Sequence, residues 1–283
     1  MPNIDKMNHL TSDKNAGALP GKQRKTAREL SLPAKGTGRR ARRDKQTEYI
    51  LFSPVHYEPK YAYPLIVWFH SPGADENEIF QVMPKLSLQN YVAVAPRGLT
   101  FEESASGLGS DLEMLPVQRK SLGGYAGMFS PLYDWTNTEQ GIEEAENRFF
   151  DVYEKARTCC NINRRRVFLA GVGTGGSMAL RIGARHPEMV AGVVSLSGGF
   201  QMNNLPLKRW SLVRNLPIML MVGAKNPVFS PAHVARQLRL FHTAGMSVSI
   251  RQYKTADDAT DMMFRDINRW IMDLINGTNA IQE

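Results

Sequence analysis

The residues that could hold or lack a reacting group cluster in the stretch Val167-Phe-Leu-Ala-Gly-Val-Gly-Thr-Gly-Gly-Ser-Met-Ala-Leu180, where an apolar run passes through a glycine-rich turn into a helical pattern. Gly173 stands at the centre of that turn and has no nucleophilic atom. Thr174 follows it, and Ser177 lies about one turn into the helix, where a hydroxyl packs or caps locally. A second turn, His70-Ser71-Pro72-Gly73, closes the apolar run Leu65 to Phe69. His233 and His242 fall on a helical pattern and read as surface residues. Asp257, Asp258 and Asp261 could suggest a metal, but acids just before a helix commonly cap it and favour its positive end. Cys159 and Cys160 are adjacent, a spacing that suits neither a disulfide framework nor a structural zinc site, and read as inert thiols near a helix end. The chain shows no Walker loop, dinucleotide fingerprint or zinc-helix motif, so no cofactor and no metal are expected.

The elements that must position these residues are legible from Tyr49 onward. Short apolar, β-branched runs alternate with helical periodicity, the pattern of an α/β domain with a mostly parallel central sheet and helices on both faces. Strands are expected at Leu65–Phe69, Tyr91–Ala95, Val167–Ala170, Val190–Leu196, Ile218–Val222 and Val248–Tyr253, most of them continuous apolar runs of the buried parallel kind. Ser230 and Pro231 open a helix with the stripe Val234, Leu238, Phe241, and Gly245 ends it. The last helix carries Met263, Ile267, Trp270, Ile271, Leu274 and Ile275 on one face, with Gly277 expected as its C-cap. Phe101 to Trp135 is a long Gly-, Ser- and Met-rich stretch after a strand end, where open α/β sheets bind ligands, and is expected to be a lid or pocket wall with Trp135 at its end.

The glycine-rich turn resembles the nucleophile elbow of α/β hydrolases, specifically the phospholipase/carboxylesterase branch and its dienelactone-hydrolase relatives, which read G-x-S-x-G. Gly171 and Gly175 hold the outer positions and Gly173 replaces the serine. The resemblance covers nearly all of residues 48–280. Pro64 to Gly73 is similar to the family's strand and its His-Gly-x-Gly oxyanion turn, Tyr91 to Gly98 to the next strand and its Pro-Arg-Gly, and Arg185 to Gly199 to the segment after the elbow helix. Gly223-Ala-Lys-Asn226-Pro227 resembles the acid-bearing Gly-x-x-Asp-Pro, with Asn226 in the acid's place, and the register through Arg265 to Trp270 puts Asp257 at the histidine.

What the resemblance implies is an α/β-hydrolase fold over residues 48–283 with no intact triad. Gly173 cannot attack, Asn226 cannot supply the charge that steadies an imidazolium, and Asp257, with an ordinary pKa of about 4, is a poor proton donor at neutral pH. Pro72 has no N–H to offer an oxyanion. The expected function is therefore a noncatalytic homologue that binds a small ligand or a protein partner in the remnant pocket, lined by His70, Ser71, Pro72, Gly73, Thr174 and Trp135. The competing expectation is a carboxylic ester or thioester hydrolase with a rearranged apparatus, such as Asp257 activating water.

Charge separates the first 47 residues from the rest. They hold 12 Lys/Arg against 4 Asp/Glu, the whole of the net charge of +8, while residues 48–283 carry 23 of each sign. With no aromatic residue and little apolar surface, the segment is expected to be a disordered basic tail. Its cluster Arg39, Arg40, Arg42, Arg43 could draw weak contact with nucleic acid or an anionic surface through counterion release. No apolar run reaches the roughly 18 to 20 residues of a membrane span, and no secretory signal is evident, so a cytoplasmic protein is expected.

Overall fold

The computed structural model describes residues 47–100, 132–199, 210–226, 231–256 and 259–279. The expected basic tail, apart from Thr47, most of the expected lid (residues 101–131), Ser230, Asp257 and Asp258 lie outside the described residues.

In chain order, β1 (Tyr49–Phe52) and β2 (Tyr63–Phe69) are followed by a 3-10 turn at Glu76–Glu78, α1 (Ile79–Leu86) and β3 (Val92–Pro96). The short strands β4 (Leu99–Thr100) and β5 (Tyr133–Asp134) precede α2 (Glu139–Cys159), β6 (Ile162–Val172), α3 (Thr174–Arg185) and β7 (Gly192–Leu196). Then come α4 (Trp210–Asn215), β8 (Ile218–Gly223), α5 (Pro231–Thr243), β9 (Val248–Tyr253) and α6 (Asp261–Asn279). Seven strands form one sheet in the order β1-β3-β2-β6-β7-β8-β9, parallel except for β1, and β4 pairs with β5 separately.

Alternate residues of the central strands feed two cores. Leu65, Val67 and Phe69 face one layer with Phe149 and Val152 of α2, Ala179 and Ile182 of α3, and Phe241 of α5. Ile66 and Trp68 face the other with Ile79 and Met83 of α1 and Met263, Phe264, Ile267 and Ile271 of α6. Helices thus cover both faces, as the unbroken apolar runs require. Because the parallel strands share a direction, the residues that follow β2, β3, β6, β7 and β8 all gather along one edge.

The expected strands are all present, with shifted ends. β6 begins five residues before Val167 and takes in Arg164, Arg165 and Arg166. Its pairing with β2 slips there, Tyr63 facing Ile162 and Leu65 facing Val167, so the arginines occupy a bulge and interrupt the apolar signal. α5 ends as expected before Gly245, which has φ +67, but Leu238 is 41% exposed while Val234 and Phe241 are buried. Gly277 does not cap α6: the helix runs through it to Asn279 and its φ is not positive. Nothing lies near Gly277, so no neighbour forces the turn that a C-cap makes. Among the described residues, no helix is long and apolar enough to cross a membrane.

Candidate active site at the carboxyl edge

β6 drives into the core through Val172 and turns sharply at Gly173, which adopts φ 58 and ψ −120 and opens α3. Its N–H donates to Leu196 O at 2.8 Å, fixing the turn to the end of β7, and its carbonyl accepts from Ser177 N at 3.0 Å. The Ser177 hydroxyl reaches the same carbonyl at 3.3 Å, the local cap expected of it. The flanking glycines have a packing cause. A Cβ at Gly171 would lie 2.6 Å from Phe69 O and from Gly175 C, and one at Gly175 would lie 2.3 Å from Phe69 O. Strand β2, strand β6 and helix α3 therefore approach at backbone contact, which only glycine allows.

The direction in which a nucleophile would project is occupied. A Cβ at Gly173 would lie 3.0 Å from Pro72 Cδ and 3.1 Å from Pro72 Cγ, closer than ordinary van der Waals contact. The proline ring sits over the elbow, in the space a catalytic side chain needs.

The turn that carries Pro72 is tied off internally. Ser71 N donates to the buried Glu78 Oε2 at 3.0 Å, Gly73 N to Tyr133 O at 2.8 Å and Ala74 N to Ser71 O at 3.1 Å, while Pro72 has no N–H. Residues 71–74 thus present no uncommitted amide for an oxyanion, whose stabilisation depends on such donors. Gly73 takes φ 75, and its turn holds β5 against the end of β2. Glu78, pushed upward in pKa by burial against the opposing hydrogen bonds from Ser71 and Trp68, also accepts from Trp68 Nε1 at 2.8 Å. The Ser71 side chain is buried, and its hydroxyl makes no well-formed hydrogen bond among the described residues.

His70 is scaffolding. Its ring is fully buried, Gly98 N donates to Nε2 at 2.9 Å, and Nδ1 lies 2.9 Å from Ser71 O. Accepting at Nε2 leaves Nδ1 as the donor, which defines a neutral tautomer. Burial lowers its pKa to about 4, outweighing the Ser71 carbonyl and Asp75, which pull the other way. Trp135 is equally committed: it is 3% exposed, packs edge-on against Phe69, and donates from Nε1 to His70 O at 3.2 Å. Both rings are thus buried and committed within the protein rather than exposed at the carboxyl edge.

At the acid position, Asn226 follows β8 and is buried, donating from Nδ2 to Ser197 Oγ at 3.3 Å. Ser197 itself has φ 51 and follows the residue whose carbonyl holds Gly173 N. The Gly173 and Asn226 positions thus meet through the end of β7, and the third expected position, Asp257, lies outside the described residues.

Of two further residues at this edge, one carried no sequence signal and the other stood in the sequence only as part of the Pro-Arg-Gly resemblance. Asp134, at the end of β5, accepts a hydrogen bond from the Thr174 hydroxyl and another from Trp135 N at 2.7 Å, and burial pushes its pKa upward against both. Arg97, after β3, spans both oxygens of the buried Glu76 and also reaches Glu48, so it links the entry of β1 to the turn after β2. Burial pushes the Glu76 carboxyl up to about 7, a backbone hydrogen bond opposing the rise and the neighbouring Asp75 carboxylate adding to it. Asp134 ends a two-residue strand and Arg97 lies in a loop, so no periodicity marks either contact.

A family model described as Phospholipase/Carboxylesterase matches residues 128–275. No curated protein matches the chain in sequence. Among solved structures, SOBER1 of Arabidopsis thaliana is similar at 15% identity and a TM-score of 0.57, the match covering 76% of this chain and 100% of that one. The Bacillus cereus carboxylesterase gives 13% and 0.56 over 82% of this chain and 96% of that one. Acyl-protein thioesterase 2 of Zea mays gives 17% and 0.54 over 80% and 98%. At these identities the structural likeness is one of fold. The family match, spanning more than half of the chain, goes further: this protein belongs to the phospholipase/carboxylesterase family and has the α/β-hydrolase fold.

Proposed function

We propose that this protein is a noncatalytic member of its family, which binds a small ligand or a protein partner at the carboxyl edge of the sheet. The observation that carries the reading is the seating of the Pro72 ring against Gly173. A lost nucleophile leaves a gap that water or a substrate fills; here protein fills it. The committed amides of residues 71–74 and the amide at Asn226 support the same reading. In this reading the protein works in the cytoplasm, and its basic tail contributes only weak contact with anionic surfaces.

One observation favours a second reading, an ester or thioester hydrolase with a displaced apparatus. The Thr174 hydroxyl donates to Asp134, whose pKa is raised by burial, one residue past the elbow. Hydroxyl and carboxylate in contact are two members of a nucleophile and base arrangement.

Incubation of the full chain with a fluorophosphonate probe and with p-nitrophenyl acetate separates the two. The noncatalytic reading expects no covalent adduct by intact mass and no turnover above a buffer blank. A stoichiometric adduct on any residue overturns it, and an adduct on Thr174 that disappears with Asp134→Asn establishes the displaced apparatus.

A further inference from the structure

The opposite edge of the sheet carries a concavity of about 260 Å³, bordered by Glu58, Tyr61, Tyr63, Gln89 and Asn90. Pro64, at the start of β2, and Met272 and Ile275 of α6 complete its apolar floor. Since Tyr63 begins β2 and Asn90 lies just before β3, this site is at the amino ends of the strands, and it is independent of the elbow.

Its chemistry is divided in a particular way. Tyr61 is 48% exposed, stands edge-to-face against Tyr63 at 4.6 Å between centroids, and Tyr63 stacks in turn on Tyr57 at 5.3 Å. The cluster is braced by Glu58 N, which donates to Tyr63 Oη at 3.1 Å, and by Asn161 N, which donates to Tyr57 Oη at 2.7 Å. Tyr61 thus packs on a braced pair of rings with about half its surface in solvent. Around it the Glu58 carboxylate, the Gln89 amide and the Tyr61 hydroxyl have no hydrogen-bond partner among the described residues.

A ligand for such a site must offer one flat C–H surface to a tyrosine ring and several groups that donate and accept hydrogen bonds at its rim. Glu58 only accepts, whereas Gln89 and Asn90 do both. The volume is below the roughly 300 Å³ at which drug-sized pockets begin, too small for an acyl chain or a dinucleotide. A quaternary ammonium needs ring faces around it, and the two tyrosines in edge-to-face contact leave no gap between them. We propose that this concavity, with the Tyr61 ring as platform and Glu58, Gln89 and Asn90 as rim, binds the pyranose ring of a neutral carbohydrate. The polarised C–H groups of one sugar face meet the negative face of the tyrosine ring, and the hydroxyls meet the carboxylate and the amides.

The test is saturation-transfer NMR on the full chain, with methyl β-D-glucopyranoside and maltose as probes and choline chloride as competitor. The expected result is transfer to ring protons of one sugar face, a Kd on the order of 1 mM for at least one probe, and a weakening of about tenfold in Tyr61→Ala. Glu58→Gln, which keeps one acceptor, should weaken binding by less than Tyr61→Ala does. Tyr61 and Glu58 are exposed, so both variants should retain the wild-type thermal midpoint, which is measured alongside. The proposal is overturned by absence of transfer to both sugars, by transfer that Tyr61→Ala leaves unchanged, or by choline displacing the sugar in a manner that depends on Glu58.

Discussion

A serine at position 173 would have to share space with the Pro72 ring, besides taking a backbone conformation of φ 58 that glycine adopts freely. Together these should cost about 2 kcal/mol in Gly173→Ser, measured by urea unfolding. In the background of Pro72→Ala the same change should cost less, by about 0.5 to 1 kcal/mol, because contacting residues couple. Equal costs in the two backgrounds would remove Pro72 from the account. The pair also bears on activity. Gly173→Ser, Asn226→Asp and Asp257→His together should give at most weak p-nitrophenyl acetate hydrolysis, and adding Pro72→Ala should raise it by restoring both room and an amide N–H. His70 makes a prediction of another kind. The folded state keeps its ring neutral down to about pH 4, whereas the unfolded chain takes up the proton near 6.5. Between these values the unfolded state binds more protons, so stability falls as pH drops through this window, by up to about 3 kcal/mol. His70→Gln, which can donate and accept but does not titrate, should lose stability at pH 7 yet show a shallower decline from pH 6.5 to 4.

At the scale of elements, the elbow is a crossing of three backbones, and its glycines differ sharply from those elsewhere. Gly175→Ala would press a methyl carbon to 2.3 Å from Phe69 O, an atom locked in the sheet, and should cost about 3 kcal/mol or prevent folding. Gly277→Ala, in the last turns of α6 with open space around it, should instead stabilise by about 0.5 to 1 kcal/mol, readable as a raised thermal midpoint. The same contrast explains what the sequence revealed. Buried strands such as Ile218–Gly223 and helices such as Pro231–Thr243 announce themselves by runs and periodicity. Gly277 was misread as a cap because a glycine near a helix end has the same letter whether its φ is positive or helical. The elbow's role was legible from Gly171 and Gly175; that Pro72 fills the space beside Gly173 was not, since the two are 101 positions apart and only the sheet brings them together.

For the molecule as a whole, charge and fold are separable. The net +8 resides in residues 1–47, and the chain from residue 48 is formally neutral. The described residues begin at this junction: the Thr47 hydroxyl donates to Asp151 Oδ2 at 2.7 Å, and Arg97 N donates to Glu48 O at 2.8 Å. Removing residues 1–46 keeps both contacts, so the thermal midpoint should stay nearly unchanged while any salt-sensitive retention on heparin disappears. A fall of many degrees would show that the segment packs on the domain. The antiparallel direction of β1 was not foreseen; a four-residue strand with partly exposed side chains leaves too short a pattern to orient. The sequence offers Thr174 only as a pocket residue beside the elbow, because its bond to Asp134 depends on β5 returning there, which no local pattern announces.

The fit of Pro72 to Gly173 also constrains history. On the noncatalytic reading proposed above, a family member that still carried an elbow serine would have its side chain pressed against a proline ring in the position seen here, so selection on activity would disfavour the pair. Once glycine has replaced serine, proline at 72 becomes tolerable. That reading implies an order for the two substitutions: loss of the nucleophile first or at the same moment. The second change then works as a latch, because reversion at 173 alone no longer restores a working site and brings a penalty of its own. A descendant that regained hydrolysis would have to pass through a less stable and still inactive intermediate, or abandon the elbow and build its chemistry elsewhere.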